Sequence, residues 1–505
     1  MKPTTALTRA LLVPALALGA LPAAVAQPAA ADSGPPPPLD WKPCAQGADD
    51  ALGKELDRAG ARCAELTVPL DHARPGGRTI KLGLSRLPAA DRAGRIGTLV
   101  LNSGGPGEPT LAMPLKTRAA MKDVAARYDI IGLDPRFVGR STALDCGWPI
   151  GMWLRSPGRT RARFDHQAAV QRDLAERCAR RHADVLPYVN TRDTARDVDL
   201  VRRALGERRI SFLGYSYGAY LGAVYTQMFP GRTDRVVLDS AGDPGKWGPR
   251  ATRGTEDEAE RALRGWAAWA AERHGTYGLG ATPARVLATV DAIVTAAEER
   301  PLRVGAYEVD EQAVPYILSN ASGDDRPEAR AEFASMVRTL NEAAHGRPAI
   351  PGPDFGDFLA FVLTSAGSPL ANPSAAITCG DRAAPRDPDT YWHDIQRSRA
   401  RHPLFGPLKN NLWPCAFWPN PPREPLTRVG NPTPALIVAA TGDTATTYEG
   451  AKAMHRALTG SRLLTLRGTT AHGIYGEYGN PCVDAKVNAY LATGTLPATD
   501  QNCRP

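Results

Sequence analysis

The segment 214–218 reads Gly-Tyr-Ser-Tyr-Gly and contains Ser216, the residue most clearly suited to chemistry in this chain. A strand-like run, 209–213, precedes the segment, and a helix-like stretch, 219–229, follows it. On a sharp turn between a strand and a helix, a serine holds its Oγ exposed, and flanking glycines leave room for the strained backbone. The pattern predicts that Ser216 is a nucleophile, with an ordinary tight turn as the alternative. We call this segment the serine turn.

A serine nucleophile needs a general base and a carboxylate that orients the base, and the C-terminal part of the chain offers both. The apolar run 434–440 predicts a buried strand, and Asp443 lies shortly after it. A second strand-like run, 462–466, leads to His472. Polar residues beyond the carboxyl ends of parallel strands gather at one edge of a sheet, so Asp443 and His472 are predicted to complete a triad with Ser216. A helix-capping role for Asp443 is the alternative.

A glycine-rich loop predicts the donors that would bind an oxyanion. The loop reads Gly-Gly-Pro-Gly at 104–107 and follows the strand-like run 97–101. Glycines let the backbone approach a substrate carbonyl closely, and we expect the backbone N–H groups of Gly105 and Tyr217 to stabilise the oxyanion. A phosphate-binding loop is the alternative, but the loop lacks a Gly-Lys-Ser or Gly-Lys-Thr sequence.

The order of strand-like and helix-like runs predicts an α/β fold, with a mostly parallel sheet and helices on both faces. We expect this core over 60–245 and again over 371–505, the second part carrying the triad acid and base. The intervening segment, 246–370, lacks strand alternation and has a helical pattern, which predicts a cap over the active site. An independent helical domain is the alternative.

Residues 1–26 have the features of an export signal. Lys2 and Arg9 precede an alanine- and leucine-rich run that ends in a small-x-small cleavage pattern at 24–26. A proline-rich lead-in, 27–59, follows. Because no other run is long and apolar enough to span a bilayer, we expect a secreted, extracellular protein without membrane attachment.

Eight cysteines in an exported protein indicate disulfides. The sequence does not determine their connectivity, but pairing between neighbours in the chain is the simplest arrangement. It would give the bridges Cys44–Cys63, Cys146–Cys178, Cys379–Cys415 and Cys482–Cys503. A metal site is disfavoured because no two cysteines lie within four residues of each other. We expect neither a metal nor a cofactor.

The formal net charge of +8 raises the question of a nucleic-acid partner. The arginines, however, are interspersed with Asp and Glu, as in 192–209, which is typical of a solvated helix face. We therefore expect no nucleic-acid partner, and we expect a monomer.

Several motifs occur together and in order: Gly-Gly-Pro-Gly at 104–107, Asp-Pro-Arg-Phe-Val-Gly-Arg-Ser at 134–141, the serine turn, Val-Leu-Asp at 237–239, and Gly442-Asp443 followed by His472. In this combination the chain resembles the secreted tripeptidyl aminopeptidases of actinomycetes, α/β-hydrolases related to proline iminopeptidases. The resemblance implies an α/β-hydrolase fold and a serine exopeptidase that releases short peptides, such as tripeptides, or single residues from free N-termini. It implies Ser216 as nucleophile, Asp443 as acid and His472 as base.

Such an exopeptidase must recognise a free α-amino group, which calls for carboxylates near the site. Asp381 and Glu108 are the main candidates, and further ones in the predicted cap are Glu308, Asp310 and Glu311.

A secreted carboxylesterase or lipase is an alternative function, because the serine turn does not distinguish ester from amide hydrolysis. A proline iminopeptidase is another. A binding protein without catalysis is disfavoured, since all three triad residues are present.

Overall fold

The computed structural model describes residues 38–505. The predicted signal peptide and the first part of the lead-in, 27–37, lie outside the described residues. Within 38–505, no helix is long and apolar enough to cross a membrane.

A nine-stranded, mostly parallel sheet forms the centre of the fold. Its strands follow the order β1-β2-β4-β3-β5-β6-β9-β10-β11; β2 pairs antiparallel with β1 and β4, and the remaining neighbours are parallel. Two further strands, β7 and β8, form a separate hairpin. In chain order the strands are β1 (Arg62–Pro69), β2 (Thr79–Leu87), β3 (Gly97–Asn102), β4 (Tyr128–Leu133), β5 (Ile210–Tyr215), β6 (Thr233–Asp239), β7 (Leu302–Val304), β8 (Tyr307–Val309), β9 (Leu436–Ala440), β10 (Arg462–Leu466) and β11 (Gln501–Cys503).

Helices connect the strands and make up most of the segment predicted as a cap. In the described part of the chain they are α1 (Ala51–Arg58), α2 (Met113–Met121), α3 (Arg161–His182), α4 (Thr191–Ala204), α5 (Tyr217–Met228), α6 (Glu256–Ala271), α7 (His274–Tyr277), α8 (Pro283–Glu299), α9 (Val314–Ala321), α10 (Pro327–Ala344), α11 (Pro353–Leu363), α12 (Ser368–Asp381), α13 (Pro388–Arg399), α14 (Phe405–Asn410), α15 (Tyr448–Ala457) and α16 (Pro481–Thr493).

Both faces of the sheet are covered, because alternate residues of the central strands point to opposite sides. Val100 and Phe212 belong to the apolar cluster that packs with α3, α4, α5 and α12. Leu99 and Leu213 belong to the opposite cluster, which packs with α2 and α16. This arrangement is the predicted parallel sheet with helices on both faces.

The segment predicted as a cap has its own apolar core, formed by α6, α8, α9 and α10. Phe405 and Leu408 of α14 join this core, although they lie beyond the predicted boundary at 370. The hairpin β7–β8 departs from the all-helical prediction for 246–370. Each of its strands is only three residues long, too short for alternation to be recognised in the sequence.

Four disulfides join the eight cysteines in sequential pairs, the simplest arrangement considered from the sequence. No free cysteine is present in the described part of the chain. Because α12 carries Cys379 and the turn that follows α14 carries Cys415, one of these bridges ties the helical region before β9 together. The bridges are Cys44–Cys63, Cys146–Cys178, Cys379–Cys415 and Cys482–Cys503.

Arg136, in the turn after β4, forms a fully buried ion pair with Asp197 of α4. Its Nε and Nη2 each donate to a carboxylate oxygen at 2.7 Å, and Nη1 donates to the Tyr188 carbonyl at 2.9 Å. Arg136→Met would leave the Asp197 carboxylate buried without its guanidinium. We expect a loss of about 3–5 kcal/mol in the free energy of unfolding, measured by denaturant titration with the disulfides intact.

Arg303→Met is the matched control for that substitution. Arg303 is 81% exposed and lies 3.5 Å from Glu308, so its loss should change stability by less than about 1 kcal/mol. Equal effects of the two substitutions would contradict the assignment of a stabilising role to the buried pair.

Candidate active site

The serine turn is a tight bend between β5 and α5, and its backbone is strained at the predicted nucleophile. Ser216 adopts φ 56° and ψ −117°, a region that residues with side chains rarely occupy. Its N–H donates to the carbonyl of Asp239 at 2.9 Å, which fixes the bend to the end of β6. A β-carbon at Gly214 would lie 2.3 Å from the Gly218 carbonyl oxygen, and one at Gly218 would lie 2.6 Å from the Asn102 carbonyl oxygen. Both glycines are therefore sterically required.

The loop after β3, residues 104–107, lies against the serine turn; we call it the oxyanion loop. A β-carbon at Gly104 would lie only 3.2 Å from Cβ of Ser216, and all three glycines of the loop have positive φ. Within residues 38–505, the backbone N–H groups of Gly105 and Tyr217 have no hydrogen-bond acceptor. Neither donor is thus occupied by an acceptor of these residues, and their oxyanion-binding role stays a prediction.

Asp443 and His472 lie side by side beyond the carboxyl ends of β9 and β10. The Nδ1 atom of His472 is 2.9 Å from Oδ2 of Asp443 and 3.1 Å from Oδ1. Asp443 is 1% exposed, whereas 32% of the His472 side chain is exposed. The geometry suits a buried acid that orients an accessible imidazole.

Further donors surround the Asp443 carboxylate. Its Oδ1 accepts the backbone N–H groups of Ala445 at 2.8 Å and Thr446 at 2.9 Å. The Thr446 hydroxyl lies 2.9 Å from Oδ2 and 3.3 Å from His472 Nδ1, and it donates to the Ser240 carbonyl at 2.7 Å. Since Thr447 caps α15, Asp443 does not have the helix-capping role considered from the sequence.

Burial and neighbouring charges have opposite effects on the pKa of the His472 imidazole. Burial acts to lower the pKa of its imidazole, but the adjacent Asp443 carboxylate outweighs this effect and raises the pKa above its ordinary value of 6.5. Asp239 and Glu108 act in the same direction as Asp443. The imidazolium is therefore stabilised, as a general base requires once it has accepted a proton.

Asp239 connects the serine turn with the loop that carries His472, residues 467–480, which we call the base loop. Its main-chain carbonyl accepts the Ser216 N–H, and its carboxylate accepts the N–H groups of Ile474 and Tyr475 at 3.2 and 2.7 Å. Burial raises the pKa of the Asp239 carboxyl to about 6 despite these donors. The sequence alone gives Asp239 no role beyond its place in the family motif at 237–239.

Glu108 lies directly after the oxyanion loop. Its backbone N–H donates to the Gly104 carbonyl at 3.4 Å, and its carbonyl accepts from Ser103 Oγ at 3.2 Å. No cation of the described residues forms an ion pair with its carboxylate. Burial raises the pKa of the Glu108 carboxyl, while the charge on His472 acts in the opposite sense. Burial and, to a smaller degree, the charge of Glu108 raise the pKa of Tyr316 in the segment predicted as a cap. Glu108 therefore has a carboxylate without an ion-pair partner among these residues, and its charge interacts with that of His472, the predicted base.

Asp381 has hydrogen-bond partners within the protein. Its carboxylate accepts the backbone N–H and the hydroxyl of Thr191 at 2.7 and 2.5 Å, and the indole N–H of Trp247 at 2.6 Å. Asp381 is 6% exposed. These bonds tie α12 to the start of α4 and to the segment before α6, and substrate binding by Asp381 stays a prediction.

The cap carboxylates named from the sequence also have other partners or positions. Asp310 pairs with Arg155 at 2.6 Å, Glu311 pairs with Arg163, and Glu308 is exposed. Glu108 is the candidate whose charge acts to raise the pKa of His472. Among residues 38–505, no group of three His, Cys, Asp or Glu side chains is arranged to hold a metal ion.

Two family models match the chain. The model described as "alpha/beta hydrolase fold" matches residues 97–315, which include the oxyanion loop and the serine turn. The model described as "TAP-like protein" matches residues 403–503, which include Asp443 and His472. The predicted fold class is thereby confirmed.

Curated relatives match over almost the full chain. It is 34% identical to the tripeptidyl aminopeptidase of Streptomyces lividans, with 96% of this chain and 89% of the relative covered. It is 29% identical to the serine protease Hip1 of Mycobacterium tuberculosis, with 92% and 91% covered. It is 30% identical to a Mycobacterium tuberculosis protein named carboxylesterase B, with 99% and 98% covered. The names of these relatives cover amide hydrolysis and ester hydrolysis, the two reactions that the serine turn does not distinguish.

Proposed function

Because the chain belongs to the tripeptidyl aminopeptidase family of α/β-hydrolases, we propose that it is a serine exopeptidase that releases tripeptides from free N-termini. The observation that supports this reaction is the hydrogen-bonded pair of Asp443 and His472. Asp239 connects this pair to the serine turn, because it accepts backbone N–H groups both from the base loop and from Ser216. The proposed triad is Ser216, His472 and Asp443.

The proposed mechanism is acyl transfer through a covalent intermediate. His472 takes the Ser216 proton as Oγ attacks the peptide carbonyl, while Asp443 holds the Nδ1–H and stabilises the imidazolium. The backbone N–H groups of Gly105 and Tyr217 bind the oxyanion, and losing one such donor typically costs about 100- to 1,000-fold in rate. His472 then protonates the departing amine. A water molecule, activated by the same imidazole, releases the N-terminal fragment.

We further propose that Glu108 binds the α-ammonium group of the substrate. Its carboxylate has no cation partner among the described residues, and burial disfavours its ionised form. A substrate ammonium would supply the missing positive charge. In an extended tripeptide the amine lies up to about 10 Å from the scissile carbonyl, whereas in a single residue it lies within about 4 Å. The distance from the Glu108 carboxylate to the scissile carbonyl therefore affects how many residues are released.

Glu108→Gln tests this assignment and keeps the shape of the side chain. We expect kcat/KM for free-amine anilides to fall about 10- to 100-fold, the value of a charge-assisted hydrogen bond. The N-acetylated twins should be unaffected. Comparing one-, two- and three-residue anilides then identifies the length that depends most on this carboxylate.

Glu308→Gln is the matched control, because Glu308 lies in the cap with 67% of its side chain exposed. It should leave all substrates unchanged. If Glu108→Gln slows free and acetylated substrates equally, the residue does not recognise the amine.

The overall proposal is tested with matched chromogenic substrates: a free tripeptide anilide, its acetylated twin, a proline anilide and a short-chain ester. Among the peptides we expect the free tripeptide anilide to be turned over fastest and its acetylated twin only slowly. Preference for the proline anilide would indicate an iminopeptidase. Ester turnover alone would indicate a carboxylesterase, the second candidate, which the relative named carboxylesterase B favours.

We also propose that the enzyme acts outside the cytoplasm, as a monomer, on peptide or protein N-termini. The four disulfides support this location, because such bonds persist in oxidising compartments. The predicted export signal at 1–26 supports it independently.

A further inference from the structure

A short segment of the cap, residues 322–326 between α9 and α10, lies against the two loops that carry the triad acid and base. We call it the cap connector. The backbone N–H of Asp325 donates to the Thr470 carbonyl at 2.9 Å, and Asp325 Oδ2 accepts the Thr470 N–H at 2.8 Å. Asp325 Oδ1 accepts the hydroxyl of Tyr478 at 2.8 Å. One cap residue therefore holds both ends of the base loop.

The rest of the cap connector adds contacts to the same loops. A β-carbon at Gly323 would lie 2.9 Å from Oγ1 of Thr444, the residue after the triad acid. Arg326 donates to the Glu477 carbonyl at 3.1 Å, and its guanidinium pairs with Asp324 at 2.6 Å. The cap connector thus lies against both Thr444, the residue after Asp443, and the base loop.

The position of Thr470 gives these bonds a consequence for the triad. Only Ala471 separates Thr470 from His472, so a displaced Thr470 backbone would move the imidazole as well. On the far side of His472, the core holds the base loop through Asp239 and through Ser240, whose Oγ accepts the Gly473 N–H at 2.8 Å. On the N-terminal side of His472, the Thr469 carbonyl accepts the N–H of Gly442 in the core. The backbone N–H and carbonyl of Thr470 both bond to Asp325 in the cap.

We propose that Asp325 is a positioning residue: it fixes Thr470 so that His472 keeps its hydrogen bonds to Asp443, and it makes this alignment depend on docking of the cap. A carboxylate suits the task because one oxygen accepts the Thr470 N–H while the other accepts the Tyr478 hydroxyl. The inference rests on the proposed triad and does not depend on the class of substrate.

The test measures how fast a fluorophosphonate probe labels Ser216, since this reaction needs the base but no peptide recognition. Asp325→Ala should slow labelling about 10- to 100-fold, because a misplacement of about 1 Å can cost that much. Asp325→Asn keeps an oxygen that can accept the Thr470 N–H and should recover most of the rate. Tyr478→Phe, the mildest change, should slow labelling several-fold and serves if Asp325→Ala does not fold.

The pH dependence of labelling separates positioning from a general loss of stability. Asp443, Asp239 and Glu108 are the charged groups that raise the pKa of His472. If Asp325→Ala weakens the contact with Asp443, the acid limb of the labelling profile should move to lower pH. Destabilisation alone would reduce the folded fraction without moving that limb.

Asp324→Asn is the matched control in the same connector, because the Asp324 side chain pairs with Arg326 and has no hydrogen bond to Thr470. It should change labelling by less than about twofold. Labelling of Asp325→Ala at the wild-type rate and with an unmoved acid limb would overturn the inference. Labelling of Asp324→Asn that is as slow as that of Asp325→Ala would overturn it too. Normal labelling without peptide cleavage in the wild-type protein would contradict the proposed function instead.

Discussion

Ser216→Ala should lower kcat about a million-fold for every substrate that the protein turns over, because the covalent step is lost. The fold should survive, since the hydrogen bond that holds the serine turn comes from the backbone N–H of residue 216 and not from its side chain. Activity is measured with the free tripeptide anilide at high enzyme concentration, and folding by thermal denaturation.

Ser335→Ala provides the matched control, because Ser335 is exposed on α10. It should retain full activity. Residual turnover by Ser216→Ala near that of the control would mean that another group is the nucleophile.

Asp443→Asn should reduce kcat about 10⁴-fold, because the amide no longer selects the imidazole tautomer that accepts the serine proton. The substitution preserves the size of the side chain, and its remaining oxygen can still accept backbone N–H groups such as that of Thr446. KM should change little, since Asp443 is 1% exposed and does not face substrate. Asp49→Asn, on an exposed segment before α1, is the control.

The pH dependence of activity tests the role of Asp443 in a second way. His472 must be neutral to act as base, and its pKa lies above 6.5 because of Asp443. Activity of the wild-type enzyme should therefore fall as the pH decreases through a midpoint above 6.5. In Asp443→Asn the residual activity should fall at lower pH. An unchanged midpoint would contradict the electrostatic role given to the carboxylate.

The serine turn, the oxyanion loop and the order of the acid and base could be predicted because each leaves a local pattern. Ser216 lies between two glycines that the backbone geometry requires, and Asp443 and His472 each follow an apolar strand. The parallel sheet with helices on both faces was also predictable, since buried strands and helices have distinct lengths and periods.

The supporting contacts could not be predicted. Asp239 and Asp325 bind backbone groups of the base loop, and a backbone N–H has no identity that a sequence could reveal. The partners of Asp381 could not be predicted for a related reason, because Thr191 and Trp247 come from distant parts of the chain. Glu108 was named as a candidate because it lies next to a motif.

The two contacts that Asp239 makes depend on its identity to different degrees. Ser216 donates to the main-chain oxygen of Asp239, which any amino acid would provide, whereas the base loop donates to the carboxylate, which most would not provide. A descendant that replaced this aspartate would keep an intact Gly-x-Ser-x-Gly signature and the three predicted triad residues in its sequence. Genome surveys that score only those residues would not detect the loss of the carboxylate that holds the base loop, so position 239 belongs among the positions to inspect.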